Sequence, residues 1–539
     1  MLVSRRMRFV HVVLALALVL GTSHAWAQPA TPAPAEPTIG DKPPEPIEPK
    51  PEPKPEPTAD DPQLNLKPDD PVYDRPALAM DQVPHDPDAG FRFGSYGRII
   101  AGTDLRGGKP ERILVVAHGP RIVEPSYLEL EFSYGFEIPN WADHTASIAF
   151  RPVVTLAFDD TLFHANGQFD AHPAIRNMFL DGRLSDKLSI WVGSRMYRGD
   201  DIYLFDYWAL DDLNTVGGGV LYRSPLFSSE ANRQWDSNEL ELRGHVGWNR
   251  LDHPFQFQQI DVANPVQGST TVVQLNRERT LASASAAFIH NGPPNDVSVK
   301  VKLHGEFHSL PSGTRKRDDG TLEALPSDTG LLIGAEASFF NLGGAQVDGR
   351  YRRHVNVYAR YAKGLAAFDE LAPPTSFGPD LKTQHATELT FGTSGNWDSK
   401  IGNMMLGALA RRFTDASGND ISPNNGWEYA IDLRPLAKVS RQWFVGADVS
   451  YQARFPHGLN PITERAEDAS VFQLAPMAVF SPMGPSGYDR PQLRFVYRAA
   501  HLDQGALDLY VPDDQRHGHP WVHFVGVQAE WWFNSSTYR

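Results

Sequence analysis

The chain has 539 residues, with 50 Lys and Arg against 65 Asp and Glu, a net charge of −15 and no cysteine. The acidic balance argues against nucleic acid as a partner, and the lack of thiols excludes disulfides, thiolate catalysis and cysteine-ligated metal sites. Mean hydropathy is negative, which excludes a helical membrane protein but not a β-barrel, because barrel strands expose only alternate residues to lipid.

Residues 1–27 have the pattern of a secretory signal peptide. A basic start precedes an apolar run from Phe9 to Leu20, and Ala25-Trp26-Ala27 provides a cleavage site. The run is shorter than the roughly 20 residues that a membrane-spanning helix needs. We therefore expect cleavage after Ala27.

A proline-rich segment follows, which we extend over residues 28–90. Between Gln28 and Pro57 there are 12 prolines in 30 residues. Proline fixes φ and removes the amide donor, so the sequence predicts a disordered periplasmic arm of extended polyproline II. Two interpretations remain open for this arm: a solvated spacer, or a segment that contacts the cell wall.

After Gly90 the sequence changes to a two-residue alternation, which is typical of strands with two unlike faces. From Leu128 to Phe136, the even positions are apolar or aromatic and the odd positions are polar or small, and a similar pattern recurs between His354 and Tyr361. Strands of roughly ten residues, separated by loops, would close into an even-numbered barrel. The prediction is an all-β fold, a transmembrane antiparallel β-barrel over residues 91–539 with about 18 strands, or 16 as the alternative.

The last strand shows how the alternation assigns directions. One face carries Val525, Val527, Ala529, Trp531 and Phe533, and the other carries Gln528, Glu530 and Trp532. In an outer-membrane barrel the apolar face meets lipid and the polar face meets the lumen. Trp531 is thus predicted outside the barrel and Trp532 inside it.

Several blocks, taken in order, resemble the maltoporin family of trimeric, 18-stranded sugar channels. The matching blocks are residues 93–98, 127–130, 173–176, 191–208, 489–495 and 525–533. They cover the barrel and leave out the proline-rich arm. The resemblance implies an outer-membrane channel in lipid that conducts sugar or oligosaccharide, assembles as a homotrimer, needs no cofactor and is not an enzyme.

The resemblance also implies a sugar path of lumen aromatics flanked by charged residues. The matching positions are Tyr96, Arg98, Tyr127, Glu129, Arg176, Asp201, Asp206, Trp208 and Trp532, with Arg121 added if a two-residue gap is allowed. The alternation independently directs Tyr96, Tyr127 and Trp532 inward. A pyranose has apolar C–H faces that stack on aromatic rings and a rim of hydroxyls that charged groups can bind, so this chemistry suits a sugar.

The sequence departs from the family pattern around the expected constriction loop. The family's arginine falls on Gly199, which leaves Arg198 one place away and on the opposite face of a regular strand. The family's loop tyrosine is Trp208, and a Ser-Gly-Pro-Gly stretch is replaced by residues 214–219. These changes bear on the identity of the sugar more than on the channel.

Plainer interpretations of the same residues stay open. The charged positions could form an ion-pair network that stiffens the wall, Asp201 could cap the loop, and Trp208 could anchor it. His517 and His519 lack a third ligand, so no metal site is predicted. The alternative functions are a general or charged-solute porin, and an exported β-rich enzyme or carbohydrate-binding protein that never enters the membrane.

Overall fold

The computed structural model describes residues 90–138, 148–159, 173–226, 237–292, 296–343, 353–368, 372–418, 422–484, 486–514 and 516–534. The predicted signal peptide and all but the last residue of the predicted arm lie outside these ranges. The described residues all lie in one compact unit. No helix within the described ranges is both long enough and apolar enough to cross a membrane.

Eighteen strands of the described residues form one closed antiparallel sheet, in which each strand pairs with the next and the last pairs with the first. They are β1 Gly90–Thr103, β2 Tyr127–Ile138, β3 Ile148–Asp159, β4 Ala174–Arg183, β5 Leu188–Arg198, β8 Asp212–Leu226, β9 Ser237–Asn249, β12 Arg279–Asn291, β13 Ser298–Leu310, β16 Asp328–Phe340, β17 Arg353–Gly364, β18 Thr387–Ser399, β19 Gly402–Thr414, β20 Gly426–Lys438, β21 Trp443–Pro456, β22 Ala469–Phe480, β23 Gln492–Leu502 and β24 Trp521–Phe533. The predicted all-β barrel of about 18 strands is confirmed, and the alternative of 16 strands is wrong.

Smaller elements lie in the long loops. They are the strands β6 Asp201–Ile202, β7 Tyr207–Trp208, β10 Phe257–Asn264, β11 Gly268–Asn276, β14 Gly313–Lys316 and β15 Leu322–Leu325, the 3-10 turns Tyr203–Phe205 and Leu365–Ala367, and the short helix α1 Gln504–Leu507. Long loops gather at one end of the barrel and mostly shorter turns at the other. This asymmetry is typical of outer-membrane barrels, whose short turns are periplasmic.

The two faces of the strands follow the predicted alternation. In β2, Glu129 and Glu131 are buried toward the lumen, whereas Phe132, Tyr134 and Phe136 are exposed on the outer wall. Exposed aromatics gather near both ends of the strands. They include Phe91, Phe93, Tyr134, Phe136, Trp443 and Phe533 at the turn end and Tyr361, Tyr429, Tyr451, Phe455, Tyr497 and Trp521 at the loop end. Two such bands match the aromatic girdles of a membrane barrel.

The barrel closes where β1 meets β24. The paired residues run from Ser95 with Phe533 to Thr103 with Val525. On the outer wall of this seam, the Trp531 indole N–H donates to Ser95 Oγ at 3.2 Å, and a Cβ added at Gly97 would lie 2.0 Å from the Trp531 ring. Glycine is therefore required at position 97 for the indole to lie flat across the seam.

The lumen is narrowed by two loops that fold inward, residues 104–126 and 199–211. Ile113 and Val115 of the first loop pack with Ile202, Leu204 and Phe205 of the second, all of them buried. The side-chain amide of Gln452 on β21 forms two hydrogen bonds with the main chain of the first loop. It accepts from Val115 N at 2.9 Å and donates to Ile113 O at 2.8 Å. The two loops bury their apolar side chains against each other, and the charged residues of the barrel wall line the remaining channel.

Candidate functional site

The inward loop 199–211, which follows β5, is closed at its base. Gly199 N donates to Asp211 O at 3.1 Å, and Asp201 pairs with Trp208 in the small β6–β7 hairpin. At its tip the chain reverses at Asp206, whose φ of 55° is left-handed. Aspartate accepts this conformation more readily than most residues with a side chain, so the sequence suits a tight inward hairpin.

Side chains from the opposite wall hold this loop in place. Lys300 on β13 binds Asp200, and Lys302 Nζ binds Asp211 Oδ2 at 2.5 Å. The Asp201 main-chain oxygen accepts from Tyr358 on β17 at 3.1 Å. The loop is thus fixed across the lumen rather than lying along the strand from which it starts.

Glu530 on β24 is the centre of an ionic cluster beneath the loop. Its carboxylate binds Arg121 at 3.4 Å, Arg490 at 2.9 Å and Arg494 at 2.6 Å. The Tyr203 hydroxyl, from the loop, donates to the same carboxylate at 2.7 Å. One buried carboxylate on β24 therefore joins β23, the turn before β23, the inward loop 104–126 and the inward loop 199–211.

A second set of ion pairs connects the loop tip to β1. Arg98 Nη1 lies 3.6 Å from both Asp206 and Glu124, and Arg121 lies 3.6 Å from Asp206 and 2.6 Å from Glu124. Arg121 also donates to the Tyr96 hydroxyl at 3.1 Å. Arg121 matches the family only if a two-residue gap is allowed. In the structure it links the Glu530 cluster to the ion pairs at the loop tip.

A third group lies on β2 and β4. Arg176 binds both Glu129 and the Tyr127 hydroxyl, and the Tyr127 hydroxyl donates to Glu129 at 2.5 Å. In the pairing of β3 with β4, Ile175 and Asn177 have consecutive partners, so Arg176 is an extra residue in a β-bulge. A bulge lets adjacent residues face the same side of a sheet, which explains why Arg176 and Asn177 both point inward.

Aromatic rings lie beside these charged groups in two sets. The ring centroids of Tyr96 and Tyr127 lie 5.9 Å apart, and those of Tyr203 and Trp532 lie 6.2 Å apart. Tyr203 also lies 5.5 Å from Tyr488, in the turn before β23. Tyr96 is only 1% exposed, whereas Tyr127 and Trp532 are partly exposed.

Arginines cover several of the ring faces. The guanidinium carbons of Arg98 and Arg176 lie 5.3 and 5.6 Å from the Tyr127 centroid. Arg490 lies 4.0 Å from the Trp532 ring. These contacts are within the range of cation–π attraction, so a solute must share the rings with guanidinium groups.

The structure brings most of the sequence-predicted residues together and separates two from the rest. Tyr96, Arg98, Tyr127, Glu129, Arg176, Asp206 and Trp532 form one continuous stretch of lumen wall with the loop tip. Asp201 contacts the opposite wall through its main-chain oxygen. Trp208 is buried in the loop.

Arg198 does not follow the expectation of a regular strand. The pairing of β4 with β5 ends at Ser194, after Gly193 adopts a φ of 135°. The last residues of β5 therefore separate from β4 but stay paired with β8 as far as Arg198 and Asp212. The Arg198 guanidinium lies 3.6 Å from the Trp208 ring and 2.8 Å from Asp212. Arg198 reaches the constriction although its position in the sequence predicts the opposite face.

Sequence reasoning missed Tyr203, Arg490 and Arg494 as site residues. Arg490 and Arg494 lie in the block 489–495 that carries part of the family resemblance. The resemblance therefore marked this block, but it assigned no role to either arginine. Nothing in the alternation identifies Tyr203, because it lies in a 3-10 turn rather than in a strand.

The charge of the inward loop 199–211 depends on the protonation of two carboxyl groups, Asp201 and Asp206. Burial alone would raise the pKa of Asp206, but the guanidinium groups of Arg121 and Arg98 lower it below its ordinary value. Burial, and then the neighbouring Asp206 carboxylate, raise the pKa of Asp201 to about 7. Asp206 is thus charged at neutral pH, while Asp201 changes its charge near neutrality.

A pH-dependent selectivity is expected from Asp201. As the pH rises from about 6 to about 8 the Asp201 carboxyl loses its proton, so a negative charge is added to the constriction and the preference for cations should increase. Reversal potentials in planar bilayers would measure this change. The increase should be smaller in Asp201→Asn and persist unchanged in Asp319→Asn, a change in the exposed β14–β15 loop. An unchanged pH response in Asp201→Asn would contradict the assignment.

The described ranges contain no group of three or more His, Cys, Asp or Glu side chains that could hold a metal ion. The two histidines at positions 517 and 519 lie in the loop before β24, where His517 Nδ1 bonds the Tyr510 main-chain oxygen at 2.9 Å.

Comparison with known proteins gives one family match. The model of the LamB porin family matches residues 91–533. No protein with a curated description matches the chain. Among solved structures, the chain is similar to the trimer form of OmpT, an outer membrane protein of Vibrio cholerae, at 12% identity over 83% of this chain and 100% of that chain, with a TM-score of 0.32. The outer membrane channel DcaP of Acinetobacter baumannii matches at 11% identity over 82% of this chain and 96% of that chain, with a TM-score of 0.35.

Proposed function

The chain belongs to the LamB porin family of outer-membrane channels, and from this premise we propose that it conducts sugars across the outer membrane by passive diffusion. The family and the closed barrel favour a channel rather than an enzyme. The observation that carries the sugar proposal is the juxtaposition of Tyr127 and Tyr96 at 5.9 Å with the ion pairs of Arg98 and Arg176 beside them.

The proposed mechanism divides a pyranose between two kinds of contact. The apolar C–H face of the sugar stacks on Tyr127 and Trp532, while carboxylates and guanidinium groups exchange hydrogen bonds with its hydroxyls. Arg176 donates and Glu129 accepts, so the pair can replace both roles of water. Sugar binding must remain weak, at the millimolar scale, because a channel that holds its solute tightly stops conducting.

We expect Tyr127→Ala or Trp532→Ala to weaken block of the channel by a neutral oligosaccharide. Loss of one stacking contact should raise the half-blocking concentration by about three- to tenfold. Single-channel current in planar bilayers, titrated with sugar from one side, measures this. Trp443→Ala is the matched control, because that tryptophan is exposed on the outer wall. If no neutral sugar blocks the unmodified channel, the proposal of sugar selectivity is wrong.

A general or charged-solute porin is the second candidate, and one observation favours it. Arginines lie over Tyr127, Trp208 and Trp532, at 5.3, 3.6 and 4.0 Å, which reduces the ring area open to a neutral sugar. Such a channel would select among ions by charge, and neutral sugars would not block its current. The same titration separates the two candidates.

Three further proposals concern the context of the barrel. We propose that residues 1–27 are removed as a signal peptide and that residues 28–90 form a periplasmic arm that is either a spacer or a contact to the cell wall. Family membership supports assembly as a homotrimer surrounded by outer-membrane lipid. Migration as a single-chain species in unheated detergent gels and after cross-linking in membranes would contradict the trimer.

A further inference from the structure

A second group of aromatic rings lines the lumen on the turn side of the constriction. Trp191 and Tyr197 on β5 and His245 on β9 have centroids 5.2 to 6.1 Å apart and planes within 25° of parallel. Phe179 on β4 meets the Trp191 ring at 6.5 Å. None of these residues belongs to the proposed sugar path, and none was predicted from the sequence.

Arg195 lies over these rings. Its guanidinium carbon is 4.7 Å from the Phe179 centroid and 5.4 Å from each of the Trp191 and Tyr197 centroids. Among the described residues, no carboxylate lies within ion-pair distance of Arg195. A guanidinium stacked on a ring keeps its in-plane N–H donors available, and these donors match a carboxylate in a two-point contact.

The surroundings of Arg195 are rich in positive charge. Arg223 and Arg243 share one carboxylate, Glu241, at 2.8 and 2.6 Å. Asp181, which also lies at this wall, is bound by Arg151 at 3.4 Å. The nearby carboxylates are therefore already occupied, and the guanidinium groups outnumber them.

These side chains line a cavity in this part of the wall. Asp181, Trp191, Arg195, Tyr197, Arg223 and Arg243 form its walls. Arg195 is partly exposed there, and it precedes Arg198 by three residues along β5, which is on the order of 10 Å. A solute that has passed the constriction next meets Arg195.

We propose that Arg195, supported by the aromatic rings and by Arg223 and Arg243, forms a subsite that binds a carboxylate on the solute. The subsite gives a channel with an acidic chain a local preference for acidic solutes, such as sugar acids. Its chemistry is independent of the proposed stacking of neutral sugars, because it acts through charge and lies on other residues.

The test compares two probes with the same sugar backbone, the trianion trigalacturonate and its neutral trimethyl ester. We expect Arg195→Gln to raise the half-blocking concentration of trigalacturonate by about tenfold, since a charge-assisted hydrogen bond is lost. Block by the ester should change less than twofold. Arg195→Lys, which keeps the charge without the planar fork, should give an intermediate effect and serves if the glutamine variant does not fold.

Arg412→Gln is the matched control, because Arg412 is exposed on the outer wall near the loop end of β19, and it should leave both probes unaffected. The proposal is overturned if trigalacturonate fails to block the unmodified channel, or if Arg195→Gln weakens both probes equally or neither. Block by trigalacturonate but not by the ester would support this subsite and contradict neutral-sugar selectivity, so the two failures are distinguishable.

Discussion

Replacement of Glu530 by glutamine is expected to destabilise the barrel interior more than any other single substitution of the lumen wall. The variant keeps the shape of the side chain but leaves Arg121, Arg490 and Arg494 close together without their common carboxylate. Removing one partner of a buried ion pair typically costs about 3–5 kcal/mol, because the other charges remain buried. Glutamine keeps only one acceptor oxygen, for which Tyr203 and the three arginines compete, so the inward loop should become mobile.

The temperature at which the folded barrel unfolds in detergent measures this cost, and single-channel noise measures the release of the loop. Asp514→Asn is the matched control, since Asp514 binds Arg516 at 2.6 Å in a partly exposed pair of the loop before β24. Pairs of that kind contribute about 0–1 kcal/mol. Equal unfolding temperatures for the two variants would show that Glu530 is not a structural centre.

Shortening the inward loop is expected to give the largest change in conductance. Asp201 and Trp208 are paired across the small hairpin, so residues 202–207 can be replaced by Asn-Gly, a two-residue connection that suits antiparallel strands. The change removes Ile202, Leu204 and Phe205, the buried apolar residues through which this loop packs against the inward loop 104–126. Conductance should increase several-fold, and block by neutral oligosaccharide should be lost.

A matched shortening elsewhere controls for the deletion itself. Val262 and Thr270 are paired in the β10–β11 hairpin, whose tip residue Val266 is 92% exposed. Replacing residues 263–269 by Asn-Gly removes a similar length outside the constriction and should leave the conductance unchanged. If the variant lacking residues 202–207 conducts like the unmodified channel, the constriction lies elsewhere.

The parts of the molecule that could be predicted are those governed by local periodicity. A two-residue period decides which face a strand residue occupies, so the inward positions of Tyr96 and Tyr127 and the outward position of Trp531 follow from a few neighbours. The number of strands follows from the length of chain that this pattern occupies. Both predictions depend on regular strands.

Contacts in the centre of the site could not be predicted in this way. Arg490 meets Tyr203 across 287 positions of sequence, and Arg121 meets Glu530 across 409. Loop residues have no period that indicates where they will lie, and strand irregularities change the expected faces. The bulge at Arg176 and the departure of β5 after Ser194 are two such irregularities, and both brought arginines into the lumen.

The seam between β1 and β24 has a consequence for how the barrel is made. Its partners, such as Tyr96 and Trp532, lie at opposite ends of the described chain, so their pairing carries the highest entropy cost of loop closure in the molecule. We infer that the other seventeen pairings between neighbouring strands form first and that this pairing forms last. The Trp531 indole then packs over Gly97 and stabilises the closed barrel.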